Sequence, residues 1–239
     1  MIPDKYSESW DLFLTEERKQ LLFEIEKQIG IDYTPADHNV LRFLKNDLSQ
    51  MKICIVGQDP YFSISKEELV ANGRSFQPSD LVSWSQKYKQ VSLKNMVRLI
   101  HKTYNEINNY QDIWKYTQIA KEIEQGEFLM KPPVEWFDSL EKQGVLFLNR
   151  YLTTKVGKPN AHRKIWEEFG AELLSYIDEQ RPDMVWFLWG NEAILCEERI
   201  KNGIVYKSRH PMMCSEKYVD DFLKADCFKN TKHIINWLG

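Results

Sequence analysis

Apolar and polar positions follow two rhythms along this chain. Between Glu16 and Ile29, the residues Leu21, Leu22, Ile25 and Ile29 recur at helical spacing with charges between them. That pattern predicts an amphipathic helix, closed by Gly30. Four other stretches are almost continuously apolar: Met51 to Val56, Val145 to Leu148, Met184 to Trp189, and Ile204 to Tyr206. Runs so short and so apolar predict strands buried on both faces. Helical patterns lie between them. Ser92 reads as the N-cap of a helix through Leu93, Met96, Val97 and Ile100. A long amphipathic helix runs roughly from Ala161 to Glu179 and stops at Arg181-Pro182. Another begins near Glu192, and the C-terminus reads as helical. Residues 62–91 read as irregular.

Alternating strands and helices predict an α/β fold: one three-layer domain over residues 1–239, with a central, mostly parallel four-stranded sheet and helices on both faces. Residues 104–131 are polar and aromatic and read as a helical insert, with a helix around Trp114 to Ile123 before Pro132-Pro133. No repeat, low-complexity tract or linker divides the chain.

Composition removes several classes. Of 239 residues 43% are hydrophobic, and 8 Trp, 11 Tyr and 12 Phe exclude intrinsic disorder. No apolar run approaches the ~18 residues of a membrane span. The start, Met1-Ile2-Pro3-Asp4-Lys5, has neither a basic nor an apolar leader region, so the cytoplasm is the expected compartment. Cysteines at 54, 196, 214 and 227 form no Cys-x-x-Cys pair. Neither a metal site nor a disulfide framework is expected, and no cofactor is implied. A nucleotide-binding α/β protein would carry a phosphate-cradling glycine loop, and no Gly-x-Gly-x-x-Gly or Walker A string occurs. The net charge of −3 argues against a non-specific nucleic-acid coat protein. Residues 1–50 hold six basic and ten acidic side chains, so a nucleic-acid face must be local and lie beyond them.

In parallel sheets, ligands bind beyond the carboxyl ends of the strands. Here those ends carry Gln58-Asp59 after the first strand, Asn149 after the second and His210 after the fourth. Gly57 permits a sharp turn, and Pro60 holds Asp59 near the strand end. Taken singly, Asp59 fits an ordinary Asx-turn, and His210 fits a loop histidine before a proline.

Together the motifs are more specific. Gly57-Gln58-Asp59-Pro60-Tyr61 resembles the water-activating loop Gly-Gln-Asp-Pro-Tyr-His of family 1 uracil-DNA glycosylases. Ala71-Asn72-Gly73-Arg74-Ser75-Phe76 is similar to that family's Ala-His-Gly-Leu-x-Phe stretch. Gly144-Val145-Leu146-Phe147-Leu148-Asn149 is similar to its Gly-Val-Leu-Leu-Leu-Asn strand. Phe187-Leu188-Trp189-Gly190 and His210-Pro211 follow in the same order, so the similarity runs from about Trp10 to Trp237.

The resemblance implies hydrolysis of a nucleoside N-glycosidic bond. That reaction builds positive charge on the sugar and negative charge on the departing base. Asp59 would supply the anion and orient water, and His210 would donate to the pyrimidine O2. The target base must first leave the duplex. Phe76 would stack on it and the Asn149 amide would read its edge. Gln58 and Tyr61 belong to the same base-binding loop, and Tyr61 would stand against a 5-methyl group. No lysine matches a Schiff-base role, so water is the expected nucleophile and the product an abasic site.

Other positions depart from the family. Phe62 stands where the family has histidine, and Tyr88-Lys89-Gln90-Val91 replaces a proline-rich loop. The family's His-Pro-Ser-Pro-Leu loop reads His210-Pro211-Met212-Met213-Cys214. Met212 cannot donate the serine's phosphate bond, and Met213 or Cys214 must serve as the wedge that fills the vacated stack. Lys155, Lys158, His162, Arg163, Lys164, Lys207 and Arg209 are candidates for a replacement phosphate grip. Trp114, Tyr116 and Trp136 are candidates for stacking on bases. Three readings follow: a uracil glycosylase with its own grip; a glycosylase for a C5-substituted cytosine in foreign DNA, acting in antiviral defence; or an inactive DNA- or partner-binding homologue. The expected partner is single- or double-stranded DNA with a flipped pyrimidine, bound by a monomer away from any membrane.

Overall fold

The four apolar runs form one parallel sheet. The computed structural model describes residues 1–239. The strands of this sheet are β1 (Ile53–Gly57), β2 (Val145–Asn149), β3 (Val185–Trp189) and β4 (Ile204–Ser208), in the order β2-β1-β3-β4, and two short antiparallel pairs, Tyr33–Thr34 with Thr154–Lys155 and Ile64–Ser65 with Glu68–Leu69, lie outside it. The register pairs Gly57 with Asn149 and Trp189 with Ser208, which brings all four carboxyl ends to one rim. The first three strands are buried at every position, which explains their continuous apolar sequence. β4 is an edge strand and is half exposed.

Alternation along each strand feeds two separate cores. Cys54, Val56, Leu146, Leu148, Trp186 and Leu188 face one side, against α1 (Glu16–Ile29) and α5 (Arg163–Gln180). Ile53, Ile55, Val145, Phe147, Val185 and Phe187 face the other. There they meet α2 (Val91–Tyr104), α3 (Tyr116–Gln125), α4 (Pro133–Gln143) and α6 (Cys227–Thr231). The result is the three-layer α/β domain expected from the pattern.

Several local expectations shift. α2 begins at Val91 after Gln90, so Ser92 lies inside the first turn and is not its cap. Its apolar stripe was legible, but its true start lacks a side-chain cap. The C-terminus is mostly short 3-10 turns around the five-residue α6. The helix near Glu192 is likewise one turn, Asn191–Ile194, followed by a 3-10 stretch. Trp136 is fully buried and donates Nε1–H to the Trp237 carbonyl at 2.7 Å, so it is unavailable to bases. All four cysteines are free, and three are buried.

Candidate active site

Just past the β1 end, the chain from Gln58 to Phe62 is held at nearly every residue. The Tyr151 N–H donates to the Gln58 carbonyl at 3.0 Å, and the Gly157 N–H donates to that of Phe62 at 2.7 Å. The Thr34 hydroxyl donates to the Tyr61 carbonyl at 3.1 Å. The Asn160 N–H donates to Asp59 Oδ2 at 2.7 Å, while the Gln58 amide donates to Asn160 Oδ1. Asn160 itself has a left-handed backbone (φ +60°). Its role was missed from sequence, although Asn after Pro159 is a turn residue that tolerates this conformation.

Asp59, Tyr61, Phe76, Asn149 and His210 line one cavity of about 270 Å³, with Gln58 and Met212 also on its wall. The sheet register accounts for the convergence of Gly57 and Asn149. Asn149 is only 5% exposed, and its side chain lies directly over Gly57. A Cβ at position 57 would collide with Asn149 Oδ1 and approach Ser75 Cβ to 2.8 Å, so only glycine allows that approach. The Tyr61 hydroxyl donates to the Phe76 carbonyl at 3.1 Å, pinning both aromatic residues to each other. Phe76 has φ +64°, a left-handed backbone that costs a bulky residue ~1–3 kcal/mol. Its ring packs edge-on to Trp189 at 5.7 Å and lies 6.4 Å from the His210 ring.

Two charges are tuned by burial. Desolvation raises the Asp59 carboxyl above its ordinary 3.8, opposed by the Asn160 N–H bond. Desolvation lowers His210 below its ordinary 6.5, which favours the neutral ring. The Met212 N–H donates to His210 Nδ1 at 3.2 Å. Nδ1 is therefore the acceptor, and the ring proton is assigned to Nε2. Gly190 makes room for this ring: a Cβ there would sit 2.8 Å from His210 Cβ. A second hollow of about 440 Å³ shares Gly57, Gln58, Phe76 and His210 and extends past Gly190 to Arg209 and Met213.

The basic candidates are less free than their spacing implies. His162 is buried and its Nδ1 is engaged by the Thr153 hydroxyl at 2.9 Å, so it is a core histidine rather than a DNA contact. Arg163 pairs with Glu192 at 3.3 Å, Lys207 with Glu197 at 2.8 Å, and Lys155 with Asp32 at 3.6 Å. Arg209 pairs with Asp220 at 2.9 Å and lies 3.7 Å over the Tyr218 ring. Lys158 and Lys164 are exposed. Cys214 turns inward, donating to the Pro211 carbonyl at 3.2 Å and packing against the core, rather than projecting from the loop. Met212 and Met213 are 56% and 53% exposed.

The chain matches the family model described as the Uracil DNA glycosylase superfamily over residues 45–233. It is 31% identical to a uracil-DNA glycosylase of Acinetobacter baylyi, covering 85% of this chain and 77% of that one. It is 28% identical to that of Escherichia coli, covering 86% and 78%. In fold it is similar to the uracil-DNA glycosylase of mimivirus (TM-score 0.62, 21% identity, 85% of this chain and 68% of the other). It is also similar to that of Nitratifractor salsuginis (TM-score 0.65, 20% identity, 87% and 85%). No helix is long and apolar enough to cross a membrane.

Proposed function

From the premise that this chain belongs to the uracil DNA glycosylase superfamily, we propose that it hydrolyses the N-glycosidic bond of uracil in DNA and leaves an abasic site. One observation carries the reading: Asp59, His210 and the Asn149 amide face a single cavity walled by Phe76 and Tyr61. A base in a duplex cannot enter such a cavity, so it arrives flipped out. It stacks on Phe76, and Asn149 offers a donor and an acceptor to its N3–O4 edge. The Tyr61 ring, tethered to the Phe76 carbonyl, is a fixed wall. Such a wall favours a hydrogen over a bulky group at C5.

Bond breakage follows from the polarity of the site. As the C1′–N1 bond lengthens, its electron pair moves onto the base and spreads to O2. The neutral His210 donates from Nε2 to that oxygen without giving up its proton. The Asp59 carboxylate faces the cationic sugar and orients the water. Water oxygen bonds to C1′, and the proton it loses passes to Asp59 and then to solvent. Both charges are stabilised by groups already in place, so little reorganisation is needed. No amine takes part, so the sugar–phosphate strand stays intact. The protein acts as a monomer, and Met213, exposed on the second hollow beyond Gly190, would fill the vacated stack.

The test is base release from two matched DNAs. One carries a single deoxyuridine, and the other carries cytosines with bulky C5 groups. Uracil release is expected, with strand cleavage only after alkali. Release from the modified DNA alone, or nicking without alkali, would sink this reading.

The active form holds Asp59 ionised and His210 neutral, so both groups must be deprotonated. Asp59 is lifted above 3.8 and His210 lies below 6.5. kcat/KM is therefore expected to fall on the acid side, with protonation of both groups contributing to that limb, and to show no fall on the alkaline side near neutrality. An acid limb of unit slope lost in Asp59→Asn would leave His210 no titrating role. A fall on the alkaline side near neutrality would mean that protonated His210 is the working form.

A further inference from the structure

The loop bearing His210 has no regular structure of its own beyond the turn Pro211–Met213. Its backbone must nonetheless hold the Met212 N–H against His210 Nδ1. The supports come from α2 and from residues 105–131. Asn95, on α2 and almost fully buried, donates its amide to the Pro211 carbonyl at 2.6 Å. Its Oδ1 accepts from Arg98 Nη1 at 2.9 Å. Arg98 Nε donates in turn to the Trp114 carbonyl at 2.8 Å. A second tie runs in parallel: the Tyr110 hydroxyl donates to Asp221 Oδ1 at 3.1 Å, and Asp221 Oδ2 accepts from the Ser215 N–H at 2.6 Å. Gln111 also bonds Glu216. The segment is itself anchored, since Glu122 on α3 bonds His101 on α2 at 3.0 Å and Ile119 enters the core.

We propose that residues 105–131 brace the His210 loop, and that Asn95, clamped by Arg98, is the positioning residue that transmits the brace to His210. This rests on reading His210 as the donor to the departing base. The geometry argues for it over simple packing. An amide has two ends, and here one end grips the residue next to His210 while the other is oriented by a guanidinium fixed to the segment. Without the clamp, the Asn95 amide can rotate and lose Pro211. The turn Pro211–Met213 then loosens, and the Met212 N–H no longer selects the His210 tautomer. Loss of alignment by an ångström at a reacting group is worth up to about a hundredfold.

The experiment is a double-mutant cycle on steady-state uracil release with Asn95→Ala, His210→Ala and the double variant. Asn95→Ala is expected to lower kcat about tenfold, with KM changed less than about threefold. In the His210→Ala background the same substitution is expected to change kcat less than about twofold, because the group it positions is already gone. Arg98→Met, which leaves Asn95 in place, is expected to show a smaller loss that also vanishes in that background. An equal factor in both backgrounds, or no loss at all, would overturn the brace. Wild-type protein inert on uracil would instead refute the functional reading. The brace is then decided by amide hydrogen exchange at residues 210–216: Asn95→Ala speeds it if the brace exists and leaves it unchanged if not.

Discussion

Asp59→Asn is expected to lower the turnover of uracil release about 10³-fold while leaving DNA affinity within about threefold. The substitution keeps the shape of the side chain. The Asn160 N–H still needs an acceptor, so the new amide turns its oxygen toward Asn160, where Asp59 Oδ2 now sits at 2.7 Å. Its NH₂ group then faces the sugar. An anion that stabilised developing positive charge is replaced by a dipole of the wrong sign, in a site where burial already strengthens electrostatics. Binding should be spared, because a carboxylate beside phosphates repels them and contributes nothing to affinity. Affinity is measurable by anisotropy on a strand whose fluorinated sugar resists hydrolysis. Equal loss of turnover and affinity would make Asp59 a structural residue of its loop.

His210→Ala is expected to lower turnover by about 10²–10³-fold, the usual worth of one preorganised donor to a developing oxyanion. The geometry of the ring suits this task. Burial keeps it neutral, the Met212 N–H occupies Nδ1, and Gly190 leaves space for it beside β3. Removing it should not disturb the sheet, since the neighbouring Pro211 carbonyl stays bonded to Asn95. The loss should shrink when the departing base carries a 5-fluoro group, because that base holds negative charge with less help. A rate close to wild type in His210→Ala would end the assignment. A loss of the same size for both bases would point to a general disturbance of the loop rather than a missing donor.

Some of this was legible in one dimension. Strands buried on both faces leave an unbroken apolar signature, so β1, β2 and β3 could be placed within about two residues. A parallel sheet then puts every strand's carboxyl end on one rim. That is why Asp59, Asn149 and His210, scattered over the chain, could be named together before their geometry was known. Other features leave no such signature. The start of α2 was misplaced because its cap is made without a side-chain bond. The left-handed backbone of Phe76 is invisible in sequence, because surrounding packing imposes it against local preference.

Charge was the least legible property. Lys207 and Arg209 read as free cations beside His210, yet Glu197 and Asp220 reach back to pair with them. His162 read as part of a basic cluster, yet it belongs to the core with Thr153. The sequence alone determined the layers, the order of motifs along the chain and the residue types at the cavity, whereas their order along the rim, β2-β1-β3-β4, came only with the tertiary structure. Hydrophobic periodicity and backbone turn chemistry are local, and they survive in any fold the chain adopts. Only the tertiary structure decided which cations stay unpaired, which tautomer His210 holds, and that Asn160 bonds Asp59 while Asn95 bonds the Pro211 carbonyl. Each of those depends on one hydrogen bond or ion pair between residues far apart in sequence.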